Sequence, residues 1–127
     1  MIVSPTHAEC DISAYRGYIE AALAHGDGSY TFEDIAQLVA EGKLQFWPGV
    51  ASVIITEIIE HPRRRALNIF LAGGNLPEIE AMVPLLQEWA KTHACTDAFF
   101  TGRAGWERTF LSRTGWIKTA VVFRKVL

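Results

Sequence analysis

Residues 67–82 read LNIFLAGGNLPEIEAM, and the change of texture inside this stretch decides the fold. Its first half is apolar and strand-like. From Pro77 onward the apolar residues recur at helical spacing. Pro77 sits at an early helical position, where its missing N–H costs nothing. A strand therefore runs into a helix across the joint Gly73-Gly74. Two readings of the joint stand. Backbone amides and a helix N-terminus can cradle a phosphate. Alternatively the two glycines supply only the backbone freedom of a tight corner.

Outward from this joint the elements can be placed one by one. Upstream, MIVS is a short strand candidate, and Thr6 to Glu9 has the capping-box pattern of a helix start. Ile12, Tyr15, Ile19, Ala22 and Leu23 follow at helical spacing, and HGDGS ends that helix. Thr31 to Asp34 opens a second helix with the stripe Ile35, Leu38 and Val39, and Gly42 stands where a C-terminal glycine belongs. KLQFW is a strand and Pro48-Gly49 a turn. ASVIITEIIE is a β-branched strand covered on both faces, and HPRRR is a hairpin connection into ALNIFLAG. Downstream, PEIEAMVPLLQEWAKTHAC is helical, and Pro84 is expected to kink or split it. DAFFTG reads as a strand, WERTFLSRTG as a short helix and WIKTAVVFRKVL as a final strand. The order is β-α-α-β-β-β-α-β-α-β. Three consecutive strands suggest a meander and the following β-α-β step a parallel pair, so the fold class is α+β, a mixed and mostly antiparallel sheet flanked by helices.

The 127 residues fit one domain, residues 1–127, and half of them are hydrophobic, enough for a real core. No apolar run reaches the roughly 18 residues of a membrane span. MIVSPTHAEC carries no signal-peptide pattern, so a cytoplasmic location is expected. Cys10 and Cys95 have no short spacing, and free buried thiols are the expectation. His7 with Cys10, and His93 with Cys95, lack a zinc spacing, and no metal site is assigned. Charge is asymmetric. Residues 1–41 hold seven acids against Arg16, whereas residues 101–127 hold six bases against Glu107. The basic C-terminal third favours an anionic ligand or a protein partner, but the whole chain is not basic enough to predict nucleic-acid binding. Arg63, Arg64 and Arg65 make a basic hairpin tip, either a solubilising turn or a contact for an acidic partner. Trp106 near Arg103 and Arg108 reads either as packing or as the lip of a ligand site.

This element order resembles the GNAT superfamily of acyl-CoA-dependent N-acyltransferases. The opening MIVSPTHAECDISAYRGYIEAAL has the shape of that family's first strand and helix. FLSRTGW (Phe110 to Trp116) resembles its glycine-aromatic step into a late strand, and HPRRRALNIFLAGG with GRAGWERTF is similar to small GNAT-like proteins of phages and prophages. The resemblance implies acetyl-CoA or CoA as the ligand, in a V-shaped gap between two strands, and a small-molecule or protein amine as acceptor. It places the cofactor-binding positions at Leu71, Ala72, Gly73, Gly74 and Asn75, with Arg103 nearby. A base is needed for the amine. Glu57 or Glu60 is the candidate, because a carboxylate among apolar neighbours has its pKa raised if it lies in a cleft. The outward, solvated glutamate remains the alternative. The sequence departs from the family in three places. Leu76 stands where the loop's second small residue is expected, Leu111 where a tyrosine acid is common, and Ala104 where an asparagine is. The second functional reading is therefore a GNAT fold without catalysis, a virion or protein-interaction module, located in the virion or the host cytoplasm.

Overall fold

The computed structural model describes Pro5 and residues 11–127; the expected first strand, the Thr6–Glu9 capping box and the His7–Cys10 pair lie outside these. A 3-10 turn, Ile12–Tyr15, is started by the Asp11 side chain accepting from the Ser13 amide. It leads into helix α1, Arg16–Leu23. Helix α2, Phe32–Ala40, opens on a complete capping box: the Thr31 hydroxyl accepts from the Asp34 amide, and the Asp34 carboxylate accepts from the Thr31 amide. Two of the first orphan amides are satisfied this way. Gly42, at φ +76°, follows its end in the left-handed region.

Among the described residues four strands form one sheet in the order β1-β2-β3-β4, where β1 is Gln45–Pro48, β2 Ser52–Glu60, β3 Arg65–Gly74 and β4 Asp97–Phe100. The first three pair antiparallel, as the meander requires. Helix α3, Leu76–Thr92, then carries the chain to β4, which pairs parallel to β3. The architecture is α+β, a mixed four-stranded sheet flanked by helices.

Both faces of the sheet are covered, which explains why β2 and β3 read as nearly unbroken apolar runs. On one face Trp47, Ile54, Leu67 and Ile69 pack with Ile79, Val83, Leu86 and Trp89 of α3. On the other, Phe46, Val53, Ile55 and Leu71 pack with Ile19 of α1 and Ile35 of α2. Each such side chain contributes about 1.5–3 kcal/mol by leaving water. The buried Thr56 is fully partnered: its hydroxyl accepts from Trp47 Nε1 at 2.9 Å and donates to Gln45 Oε1 at 2.8 Å. The register between β2 and β3 slips once. Ile55 faces Leu71 but Thr56 faces Ile69, so Phe70 is an extra residue on β3. Such a bulge bends the strand that carries it.

Three sequence expectations need correction. Residues 116–127 form no strand: beyond the half-buried Trp116 the segment lies exposed, and among the described residues no strand takes up its backbone groups. WERTFLSRTG is not one helix but two 3-10 turns, Ala104–Arg108 and Phe110–Arg113. A bidentate pair of Arg113 with Glu80, both contacts 2.8 Å, fastens the second turn to α3. Helix α3 is also not split at Pro84. Pro84 sits on its exposed side, and the helix is held through that point by Val83 and Leu86 in the core.

Candidate functional site

The glycine joint is a crowded corner. A Cβ on Gly73 would lie 2.6 Å from the Tyr18 carbonyl oxygen of α1, so the absence of a side chain lets the helix backbone sit on the strand. Gly74 has φ +111°, and a Cβ there would lie 2.4 Å from the Ala51 carbonyl oxygen and 2.6 Å from Ser52 Cα. Both positive φ and close approach demand glycine at this point. Asn75 then donates its amide to Ala51 O at 3.0 Å and caps α3 by accepting from the Glu78 amide at 2.9 Å.

Glu78 occupies the position that matters for an anion. Its carboxylate accepts from the Val50 amide at 2.8 Å, from the Ala51 amide at 2.9 Å and from the Ser52 hydroxyl. These donors, the Ser52 hydroxyl first, hold its pKa below the ordinary glutamate range. The turn between β1 and β2 and the start of α3 are thus bound together by an internal anion. The first turn of α3 has little left for an external one: Pro77 carries no N–H and the Glu78 amide is capped. The spacing of Asn75 and Glu78, a cap residue followed three positions later by glutamate, is the sequence signal for this device. Its glutamate reaches the neighbouring turn rather than the cap.

Beyond the bulge β3 and β4 part. The last β3–β4 pair is Ile69 with Phe100, followed by one more bond from the Thr101 amide to Ile69 O at 3.1 Å. Strand β3 continues through Phe70, Leu71, Ala72, Gly73 and Gly74 with no strand beside it on that side among the described residues. Arg103 follows the end of β4 and is exposed. The chain then folds back, with Trp106 against Phe100 at 4.7 Å between ring centroids. A Cβ on Gly102 would lie 2.8 Å from Trp106 Cδ1. Trp106 also meets Phe110, and Trp116 meets Phe100, so both tryptophans pack on this end of the sheet.

A polar chain crosses the sheet just before the divergence. Asn68, only 6% exposed, points its amide at Glu57 Oε2 at 3.4 Å, and its Oδ1 accepts from the Thr101 hydroxyl at 2.8 Å. Glu57, Asn68 and Thr101 come from β2, β3 and the end of β4, so three adjacent strands hold them. Glu57 is half-buried. Asn68 and Thr101 escaped the sequence reading. The available signal was a lone asparagine inside the apolar run ALNIFLAG, where a polar residue needs a partner. Glu60 stands apart from this chain: it is exposed, on the opposite face of β2, and paired with Arg65.

The remaining candidates are tied into structure. Arg64 pairs with Asp97 at 3.1 Å, and Arg65 also donates to His93 O at 2.7 Å, so two of the three hairpin arginines brace β4 and the end of α3. The His93 ring lies 4.0 Å from the Trp89 ring. Cys95 is buried, which pushes its thiol up towards the neutral form. Among the described residues no group of three His, Cys, Asp or Glu side chains is placed to hold a metal, and no helix is long and apolar enough to cross a membrane.

No family model and no curated protein matches the chain. Among solved structures, it is similar to the crystal structure of a point mutant of TTHA1254 from Thermus thermophilus. The likeness covers 86% of this chain and 89% of that one, with a TM-score of 0.58 and 6% sequence identity. At that identity the likeness is one of fold: the α+β arrangement described above, shared over nearly the full length of both chains.

Proposed function

We propose that this chain is a GNAT-like N-acyltransferase that takes an acyl group from an acyl thioester of the CoA type and passes it to an amine. The observation that carries this reading is the divergence of β3 from β4. Five residues of β3, Phe70 to Gly74, present on the side away from β2 a strand edge without a strand partner among the described residues, at a bulge and beside a polar chain containing a carboxylate. An extended amide-bearing arm such as pantetheine can add to such an edge as a strand does. The fit is uneven along the ligand. The strand edge suits the arm, whereas Glu78 and Pro77 leave the start of α3 poorly suited to a diphosphate.

The thioester supplies an activated carbonyl carbon. Glu57 is the base in this reading. One carboxylate oxygen faces the Asn68 amide, and the other, without a hydrogen-bond partner among the described residues, takes a proton from the attacking amine. Asn68, itself held by Thr101, fixes the orientation of that carboxylate. Leu111 offers no acid, so the departing thiolate takes its proton from another group or from solvent.

Stability titrations test the proposal. Saturating acetyl-CoA is expected to raise the melting temperature, by the equivalent of about 2.7 kcal/mol at 100 times the dissociation constant. Acetyl-pantetheine, which lacks the diphosphate, is expected to retain most of that affinity. Glu57→Gln should leave binding intact and abolish transfer to a panel of amines. Absence of any shift at millimolar acetyl-CoA would overturn the reading.

The donor-filled corner favours a second reading, a GNAT-like fold without catalysis that serves as a structural or protein-interaction module. In it Glu78 has closed the anion site permanently. It predicts no response to either thioester, and a Glu78→Gln variant that is less stable but equally unresponsive.

A further inference from the structure

The C-terminal segment is built like a strand but has none beside it among the described residues. Ile117, Val121, Val122, Phe123, Val126 and Leu127 are all exposed, Ile117 at 83% and Phe123 at 91%. Ile117, Val121, Phe123 and Leu127 fall on one side of an extended chain, since odd positions share a face. Thr119 and Lys125 interrupt that face, but so many exposed apolar side chains together mark an interaction surface.

The sheet offers a place of matching form. Among the described residues β4 is an edge strand, pairing with β3 alone. Of its four residues only Asp97 is charged, and none is proline, so it carries few of the devices that block strand addition.

We infer that residues 117–127 of one copy add as a fifth strand to the outer edge of β4 in a second copy, in a reciprocal exchange. Two observations favour a second copy over the chain's own edge. First, among the described residues the segment makes no ladder with its own β4. Lys118 is paired with Glu107 at 3.5 Å, and Arg124 donates to the Asp27 carbonyl, beyond the end of α1, at 3.1 Å. Both contacts are exposed, and pairs of that kind hold a chain only weakly. Second, the charges are self-complementary. Residues 117–127 carry Lys118, Arg124 and Lys125 with no acid, whereas residues 11–41 carry six acids against one base. In a two-fold pair each basic arm meets the acidic region of its partner, and the same patch serves both copies.

The full-length chain tests this by sedimentation across micromolar to submillimolar concentrations, with amide exchange measured at both ends of that range. The expected result is a reversible dimer, with protection at 97–100 and 119–125 that rises with concentration. The double variant Val121→Lys/Phe123→Lys is expected to be monomeric with an unchanged circular dichroism spectrum, because both side chains are exposed in the single chain. Three results would overturn the inference: a monomer at every concentration, a dimer that the variant leaves intact, or protection at both segments that is independent of concentration, which would mean that the arm folds onto its own β4.

Discussion

At the residue scale, Gly74 and Glu78 explain the corner between them. Gly74 combines a left-handed backbone with a contact no side chain can share. Gly28 has a similar φ, +82°, but open space around its Cβ position. Gly28→Ala should therefore cost only backbone strain, about 1–2 kcal/mol. Gly74→Ala should cost more, about 3 kcal/mol, because the Ala51–Ser52 turn must also move. Paired denaturant titrations read the difference, and equal costs would contradict the close approach. Glu78 makes a prediction in pH. Its pKa is depressed in the folded chain by the Ser52 hydroxyl and the Ala51 and Val50 amides. The stability it contributes is thus fully present above the unfolded glutamate pKa and is lost as pH falls through the folded one. Wild type should lose more melting temperature on acidification below the ordinary glutamate range than Glu78→Gln, which has already lost that contribution at neutral pH. Parallel melting curves for the two proteins would contradict the assignment.

At the element scale, what the sequence disclosed depended on how local each signal was. The capping box at Thr31 and Asp34 is a four-residue pattern with its own hydrogen bonds, and the helix begins where the pattern says. Thr31→Ala should cost about 1 kcal/mol in a denaturant titration, with the slope unchanged. The meander and the parallel β3–β4 step were equally legible, from texture and turn residues. The last segment was not, because WIKTAVVFRKVL has strand composition but strand formation needs a neighbour, and no local pattern names one. At Pro84 the local penalty is real, but the packing of Val83 and Leu86 outweighs it and the expected split does not occur. Around the site, Gly73 and Gly74 stood out by type, whereas Asn68 and Thr101 acquire meaning only when three strands bring them to Glu57.

At the scale of the whole molecule, the sheet is closed on one side of β3 and open on the other. Antiparallel pairing with β2 runs from Ser52 opposite Gly74 to Glu60 opposite Arg65, while β4 leaves after Ile69. The bulge at Phe70 and the crossover through α3 produce that opening together. The start of α3 is tied to the β1–β2 turn by Glu78. In the proposed reading, affinity for an acyl thioester therefore depends on the strand edge. A residue-resolved amide spectrum recorded while acetyl-CoA is added tests this most directly. The account predicts saturable shifts concentrated at the amides of Phe70, Leu71, Ala72, Gly73 and Gly74, with little change at Val50 and Ala51, which stay bonded to Glu78. A spectrum unchanged at millimolar acetyl-CoA would contradict it.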